Sequence, residues 1–371
     1  MNIGILKENP LREKRIALTP AAVHTLISKG ASVYIEKDAG EAAHFSDIKY
    51  EEVGAKIVYT SDEIFGRSDI LLKIAAPTEY EIDRLIDSQI LFSALHLAVA
   101  KPKILEGLLN RNICAVAIEL LEDGKGGMPV LQALSEIAGH MSIQVASRYL
   151  ESNQNGRGIL LGGLTAVPPA SVVILGAGTV GQSAARMALG VGAQVIVLDK
   201  DLERLRAIEQ RFNYRVTTGL VNEYNIRKAL QFADVLIGSV LIKGEKTPHV
   251  VTEDMVKTMK PGSVIIDVSI DQGGCIETSR PTTIENPVFV THNVIHYCVP
   301  NMSSSVARSA TYALTNSLLP FISEIIEEGC DIAIKNDMGL EKGICTFKGC
   351  CTNYPTAKRF NVEYSDINTL V

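Results

Sequence analysis

Residues 171–188 read Ser-Val-Val-Ile-Leu-Gly-Ala-Gly-Thr-Val-Gly-Gln-Ser-Ala-Ala-Arg-Met-Ala, an apolar run that passes through Gly-x-Gly-x-x-Gly into a series of small residues. This segment constrains the fold more than any other, because strand, tight turn and helix must follow one another at fixed spacing. Gly176 permits the turn, Gly178 lets the backbone approach a pyrophosphate, and Gly181 lets the helix lie against the sheet. The helix start, with Thr179 and Val180, offers free N–H groups and a positive dipole end to phosphate. A second apolar run, 194–198, ends in Asp199 at the spacing where a carboxylate can accept hydrogen bonds from both ribose hydroxyls. That acid would repel a 2′-phosphate, so NAD is expected over NADP, although Lys200 and Arg204 stand close enough to meet one. No Gly-Lys-Ser/Thr follows the turn, so hydride transfer leads over phosphoryl transfer.

The rest of the chain fits an α/β plan. Its 371 residues suffice for two domains. Apolar runs at 2–6, 31–36, 55–59, 69–74, 89–94 and 113–119 read as strands, with helices at 20–29 and 79–88. Thr19-Pro20 supports the first helix start. Strands alternating with helices imply βαβ units and parallel sheets. The rhythm breaks over 120–134, around Glu-Asp-Gly-Lys-Gly-Gly-Met-Pro. Ser135 then opens a long helical stretch to about residue 152, with small residues at Ala138, Gly139 and Ala146. A Gly/Pro-rich link covers 156–169. Strands resume at 171–175, 194–198, 234–238, 263–268 and 288–291, and a helix is expected over 308–328. The tail shows no strong strand series and ends in polar, irregular sequence. We therefore expect two Rossmann-like domains with parallel sheets and a cleft between them. Residues 1–130 and 305–371 form a discontinuous substrate domain, and 131–304 form the NAD-binding domain.

Composition excludes several classes. The formal net charge is -6 and no long Lys/Arg block occurs, which disfavours nucleic acid as a partner. No run of 18 apolar residues exists, and the N-terminus Met-Asn-Ile-Gly-Ile-Leu-Lys-Glu lacks the pattern of a signal peptide. No membrane association is expected. Seven cysteines, an odd number without a secretory signal, read as reduced thiols in the cytoplasm. Cys345, Cys350 and Cys351 cluster, but no nearby His completes a zinc spacing, so no metal site is expected.

Reacting groups are sought at the carboxyl ends of strands, where α/β proteins bind ligands. Four stand out: Arg15 before the first helix, Lys73 closing an apolar strand, His96 after 91–95, and Asp271 in a loop continuing Gln-Gly-Gly-Cys. A small amino- or keto-acid substrate carries a carboxylate that suits paired cations. Its reaction moves protons near neutral pH, where His is well tuned. Taken alone, each residue has a plainer reading: Lys73 could snorkel to the surface, Arg15 could be a solvated cation, and His96 a satisfied core or surface histidine.

Together these segments resemble alanine dehydrogenase, in the group that includes the nucleotide-binding alpha part of proton-translocating transhydrogenase. The resemblance runs from Ile3-Gly-Ile-Leu-Lys-Glu to the C-terminal helices. It is carried by Glu13-Lys-Arg15-Ile-Ala-Leu-Thr-Pro20, the Lys73 strand, Leu95-His96-Leu, Ser135-Glu-Ile-Ala-Gly139, the Gly176 turn, Asp267-Val-Ser-Ile-Asp-Gln-Gly-Gly-Cys275, Ser279-Arg-Pro-Thr-Thr283 and His296-Tyr-Cys-Val-Pro-Asn-Met302. It implies that Arg15 and Lys73 hold the substrate, that His96 is the general acid/base, and that Asp271 assists at the water or ammonia step. It implies that NAD is surrounded by Ser135, the Gly176–Gly181 turn, Asp199, Arg204, Val240, Leu241, Val268, Ser269, Ile270, Arg280, Val299, Pro300, Asn301 and Met302. It further implies reversible oxidative deamination of L-alanine to pyruvate and ammonia, amino acid catabolism, and a homohexamer. The chain departs from the family at Ile74-Ala75-Ala76-Pro77, where Val-Lys-Glu-Pro is common, and at His140, Val221, Pro300 and Ser303-Ser-Ser. Another small amino acid, or a transhydrogenase-like NAD-binding module, is the alternative.

Overall fold

The structure, a computed structural model, describes residues 1–11, 13–240 and 247–371. The chain divides into two compact units: Met1–Leu134 with Val306–Val371, and Ser135–Ser305. In chain order the strands among the described residues are β1 (Asn2–Ile5), β2 (Ser32–Glu36), β3 (Lys56–Val58), β4 (Ile70–Leu72), β5 (Ile90–Ser93), β6 (Cys114–Ala117), β7 (Ser171–Leu175), β8 (Gln194–Asp199), β9 (Thr217–Leu220), β10 (Val235–Gly238), β11 (Val264–Asp267), β12 (Val288–Thr291), β13 (Val294–Tyr297), β14 (Ile344–Phe347) and β15 (Cys350–Cys351).

The first unit's sheet runs β15-β14-β6-β5-β4-β1-β2-β3. From β6 to β3 all pairs are parallel, and β14 and β15 add an antiparallel edge. Parallel strands covered on both faces read as unbroken apolar runs because neither face meets water. Ile70-Leu71-Leu72 and Ile90-Leu91-Phe92 are of this kind and wholly buried. Alternation sends Ile5, Leu72 and Phe92 into one core and Leu71, Leu91 and Ala115 into the other. Ile5, Leu72 and Phe92 are also register partners, so β1, β4 and β5 end level and the residues after them emerge along one edge.

The second unit's sheet runs β12-β13-β11-β10-β7-β8-β9, parallel except for the β12 edge. Both sheets share the doubly wound plan. Three strands step outward from the first (β1-β2-β3, β7-β8-β9), then the chain returns to its other side (β4, β10). The switch points are β1/β4 and β7/β10, where such sheets bind ligands.

Local chemistry explains most boundaries. The helix Pro20–Ser28 starts as expected, with Thr19 Oγ1 accepting from Ala22 N–H and Pro20 in the first turn. Three expectations need correction. The long helix is Pro129–Tyr149 and opens six residues before Ser135, because Pro129 suits a first helical position and stops the glycine loop. The helix expected over 79–88 covers only Glu79–Ile82. The tail is not strandless: β14 pairs with β6 and β15 with β14, a pairing set more than 200 residues from β6 in sequence. Within the second unit, Gly139 comes so close to the helix Thr179–Gly190 that an added Cβ would lie 2.4 Å from the Val180 carbonyl oxygen. The small residues read along this stretch therefore serve close helix packing.

Candidate active site

The glycine turn follows β7 at its switch point. Gly176 has φ +102°, a left-handed backbone that favours glycine, and a Cβ there would lie 2.6 Å from the Ser239 carbonyl oxygen. A Cβ on Gly181 would stand 1.9 Å from the Gly176 carbonyl oxygen, whereas one on Gly178 would meet nothing within 4 Å. Among the described residues Gly178 thus faces open space at the start of the helix Thr179–Gly190, and none of them caps its first turn with a side chain. Those N–H groups suit a phosphate. Asp199, at the end of β8, is buried. Its carboxylate accepts from Ala177 N–H at 2.6 Å and Asp201 N–H at 2.9 Å, so it knots the turn to β8. Each carboxylate oxygen has more than one lone-pair site, which leaves acceptor capacity for ribose hydroxyls. The residues present therefore fit a dinucleotide. Arg204 lies in the first turn of the helix Leu202–Arg211, its Nε 3.5 Å from Asp201. Ser135 is half-buried on the long helix.

Val240 follows β10, and its carbonyl accepts from Ser269 Oγ at 2.8 Å. Leu241 lies outside the described residues. Ser269 belongs to the turn Val268–Gln272 after β11. Asp267, buried at the end of that strand, holds this turn by accepting from Ser269 N–H (3.1 Å) and Cys275 N–H (3.1 Å). Burial pushes its carboxyl above the usual range, against the pull of these donors. Ile270 is buried beneath the turn and Asp271 is exposed on it. Asp271 Oδ1 accepts from Asn301 N–H at 3.0 Å, joining the turn to the segment holding buried Val299, half-exposed Pro300 and buried Met302. Arg280 lies 4.5 Å over the Phe289 ring, whose other neighbour is the stacked His296 ring.

Arg15, Lys73 and His96 belong to the first unit, and Asp271 to the second. Arg15 is buried rather than solvated, and Glu13 fixes its planar fork. Glu13 Oε1 accepts from Arg15 Nε at 2.7 Å and Oε2 from a terminal nitrogen at 2.5 Å. A cavity of about 190 Å³ is lined by Glu8, Glu13, Lys14, Arg15 and Asp38 among others. Lys73 follows β4 and does not snorkel. It is 5% exposed, and its Nζ sits 3.0 Å from Glu81 Oε1 and 3.7 Å from Glu8 Oε2. Glu8 accepts from the Ile74 and Ala75 N–H groups. Burial raises its carboxyl pKa, opposed mainly by the Lys73 charge. The Ala75 carbonyl accepts from Ser93 Oγ at 2.7 Å. The segment that departs from the family is thus pinned through its backbone, and the charged pair common there has no counterpart in Ala75 and Ala76.

His96 follows β5 with φ +45°, strained for a non-glycine residue. Glu119 offsets the strain: its Oε1 accepts from His96 N–H at 2.7 Å and lies 3.7 Å from Nδ1. Among the described residues Glu119 Oε2 is buried without a hydrogen-bond partner, while the His96 side chain is 59% exposed. The imidazole is therefore held from behind and open in front, as a proton-transfer group must be.

Sequence reasoning missed the carboxylates Glu8, Glu13, Glu81 and Glu119 as partners of these groups. Two left a signal: Glu13 stands two residues from Arg15, and Thr78-x-x-Glu81 is a capping box. Among the described residues no group of three or more His, Cys, Asp or Glu could hold a metal ion, and no helix is long and apolar enough to cross a membrane.

Comparison with known proteins agrees along the whole chain. Residues 4–138 match the family model for the N-terminal domain of alanine dehydrogenase/PNT, and 142–354 the model for its C-terminal domain. The chain is 44% identical to an alanine dehydrogenase of Methanococcus maripaludis over 366 residues, 98% of each chain. It is 40% identical to that of Mycobacterium tuberculosis, covering 99% of this chain and 98% of the other. A solved L-alanine dehydrogenase superposes with a TM-score of 0.93 at 40% identity, covering 97% of this chain and 99% of that one. A transhydrogenase from Sinorhizobium meliloti shares the fold, with a TM-score of 0.81 at 22% identity over 96% and 100% of the two chains. The chain belongs to the alanine dehydrogenase/PNT family.

Proposed function

We propose that this chain is an NAD-dependent L-alanine dehydrogenase, catalysing L-alanine + NAD⁺ + water to pyruvate, ammonium, NADH and a proton, and the reverse. The observation that carries this reading is the pairing of two buried cations, Arg15 with buried Glu13 and Lys73 with buried Glu8 and half-buried Glu81, in a chain alike over its full length to alanine dehydrogenases. Bound NAD, held by the Gly176–Gly181 turn, Asp199 and the segments around Val240, Val268–Asp271 and Val299–Met302, supplies the hydride acceptor.

The chain's own residues do the rest. Arg15, its fork fixed by Glu13, takes the substrate carboxylate. Lys73, between Glu8 and Glu81, donates to the oxygen that becomes the keto group. Loss of the Cα hydrogen from a neutral amine leaves an iminium. His96, steadied by Glu119, takes a proton from the water that adds to it, and Asp271 assists as ammonia leaves. Because the amine must be neutral, deamination should quicken toward alkaline pH. On family resemblance the enzyme is a homohexamer of the cytoplasm, which light scattering on the purified protein would test.

The test is NADH formation at alkaline pH with L-alanine, glycine, L-serine and L-2-aminobutyrate in parallel. Preference for L-alanine, with reversal by pyruvate and ammonia, is expected. Activity confined to another amino acid would transfer the specificity to the Ile74–Pro77 departure. NAD binding without turnover on any of them would refute the enzyme reading.

A further inference from the structure

Cys114 and Cys330 lie 216 residues apart in sequence, yet their sulfurs are 3.8 Å apart. Cys114 is on β6, buried in the first unit's core, while Cys330 opens the helix Cys330–Asn336 directly after Gly329 and is partly exposed. The other cysteine near β6, Cys345, belongs to the core on the opposite sheet face. The sulfurs are in contact at 3.8 Å, against a bonded S–S distance of about 2.05 Å. Gly329, directly before Cys330, has φ +85°, and among the described residues a Cβ built on it would meet nothing within 4 Å.

The two thiols are chemically unequal. Burial and its sulfur neighbour hold Cys114 protonated, with its pKa raised. Contact with the Cys114 S–H pulls Cys330 down against the cost of its own partial burial. Cys330 is the partly exposed sulfur and Cys114 the buried one, so a peroxide meets Cys330 first, and the thiolate is the reactive form.

We propose that Cys330 and Cys114 form a reversible disulfide when the protein meets a peroxide, tying the C-terminal helical segment to β6. The Cys330 thiolate attacks one peroxide oxygen, breaking the O–O bond, which gives a sulfenic acid and hydroxide. The Cys114 sulfur then attacks the sulfenic sulfur. The S–S bond forms, the S–O bond breaks, and the oxygen leaves as water with the Cys114 proton. In total two thiols lose two electrons and two protons, and hydrogen peroxide becomes two waters. A dithiol reductant reverses the change by exchange.

Hydrogen peroxide added to the intact protein, followed by alkylation of remaining thiols and peptide mapping without reductant, tests this. The expected product is one joined peptide pair containing Cys114 and Cys330, two hydrogens lighter than its reduced parts. The titratable thiols should fall by two and return with dithiothreitol. Cys330→Ser should abolish the joined pair and protect Cys114 from loss. The proposal is overturned if Cys114 and Cys330 come back as separate peptides after peroxide, whether as unreacted thiols, as Cys330 sulfinic acid, or with Cys350 consumed first. The wild-type map decides even if the variant misfolds.

Discussion

Gly178 and Gly181 stand three residues apart in one motif, yet substitution by alanine should affect the protein in opposite ways. At Gly178, φ is -74° and ψ -168°, a conformation open to alanine, and the added Cβ meets nothing within 4 Å. Alanine is a poorer N-cap than glycine by roughly 0.5–1 kcal/mol, and the lower entropy of the unfolded chain returns about 0.4–1 kcal/mol. Gly178→Ala should therefore leave stability within about 0.5 kcal/mol of wild type. On the proposed NAD site the same methyl would occupy the space of the pyrophosphate. Overpacking of about 1–3 kcal/mol weakens NAD binding roughly five- to 150-fold. At Gly181 the Cβ falls 1.9 Å from the Gly176 carbonyl oxygen, a backbone atom of the same turn, and 3.3 Å from Ile174 Cγ2. The cost of about 1–3 kcal/mol or more falls on the fold itself, lowering the melting temperature by roughly 2–10 °C. Calorimetric melting without NAD and titration with NAD separate the two effects. Gly178→Ala binding NAD within twofold of wild type would refute the phosphate-cradle assignment, and an undiminished melting temperature for Gly181→Ala would refute the close-approach argument.

Three further outcomes follow from buried charges. Glu13→Gln removes the anionic partner of Arg15, and the KM for the amino acid should rise about tenfold while the NAD dissociation constant holds; equal change in both would contradict the assignment. Glu8 has a folded-state pKa above 4.5, so folding is favoured while it is protonated, and that contribution is lost as pH rises from 4.5 through the folded value. Denaturant unfolding should show a steeper decline over this range in wild type than in Glu8→Gln. His296 is buried, and burial holds it down to about 4 from 6.5. Stability it contributes above pH 6.5 is lost as pH falls toward 4, at about 1.4 kcal/mol per pH unit. NMR should find its ring neutral at pH 5; a charged ring there would contradict its placement.

Features written into local sequence were legible. The strand–Gly–helix of 171–188, the Thr19-Pro20 helix start and the buried apolar runs of β4 and β5 depend on spacing alone. The positions of Lys73, His96 and Asp271 after strands followed from the same rule, and Arg15 before the first helix stood out with them through family likeness. Non-local pairing was not legible. β13 escaped because the β12 hairpin turns on His292 and Asn293, both at positive φ, where Asn-Gly would have announced it. β14 and β15 are short and gain their identity only by pairing with β6. The carboxylates share this cause: Glu119 reaches His96 across 23 residues and Glu8 reaches Lys73 across 65. A cation in a sequence does not show which acid will be buried beside it. Lys73 and Arg15 looked ambiguous because their burial is a tertiary property, and burial is what makes them useful in a site.

The central claim is that hydride leaves Cα of L-alanine for nicotinamide on this chain. Oxidation of L-alanine carrying deuterium at Cα, with NMR of the reduced cofactor, tests it most directly. One deuterium should appear at the nicotinamide C4 for each pyruvate formed, with a slower rate where the chemical step limits. Reduced cofactor without deuterium, or none formed from alanine, would contradict it.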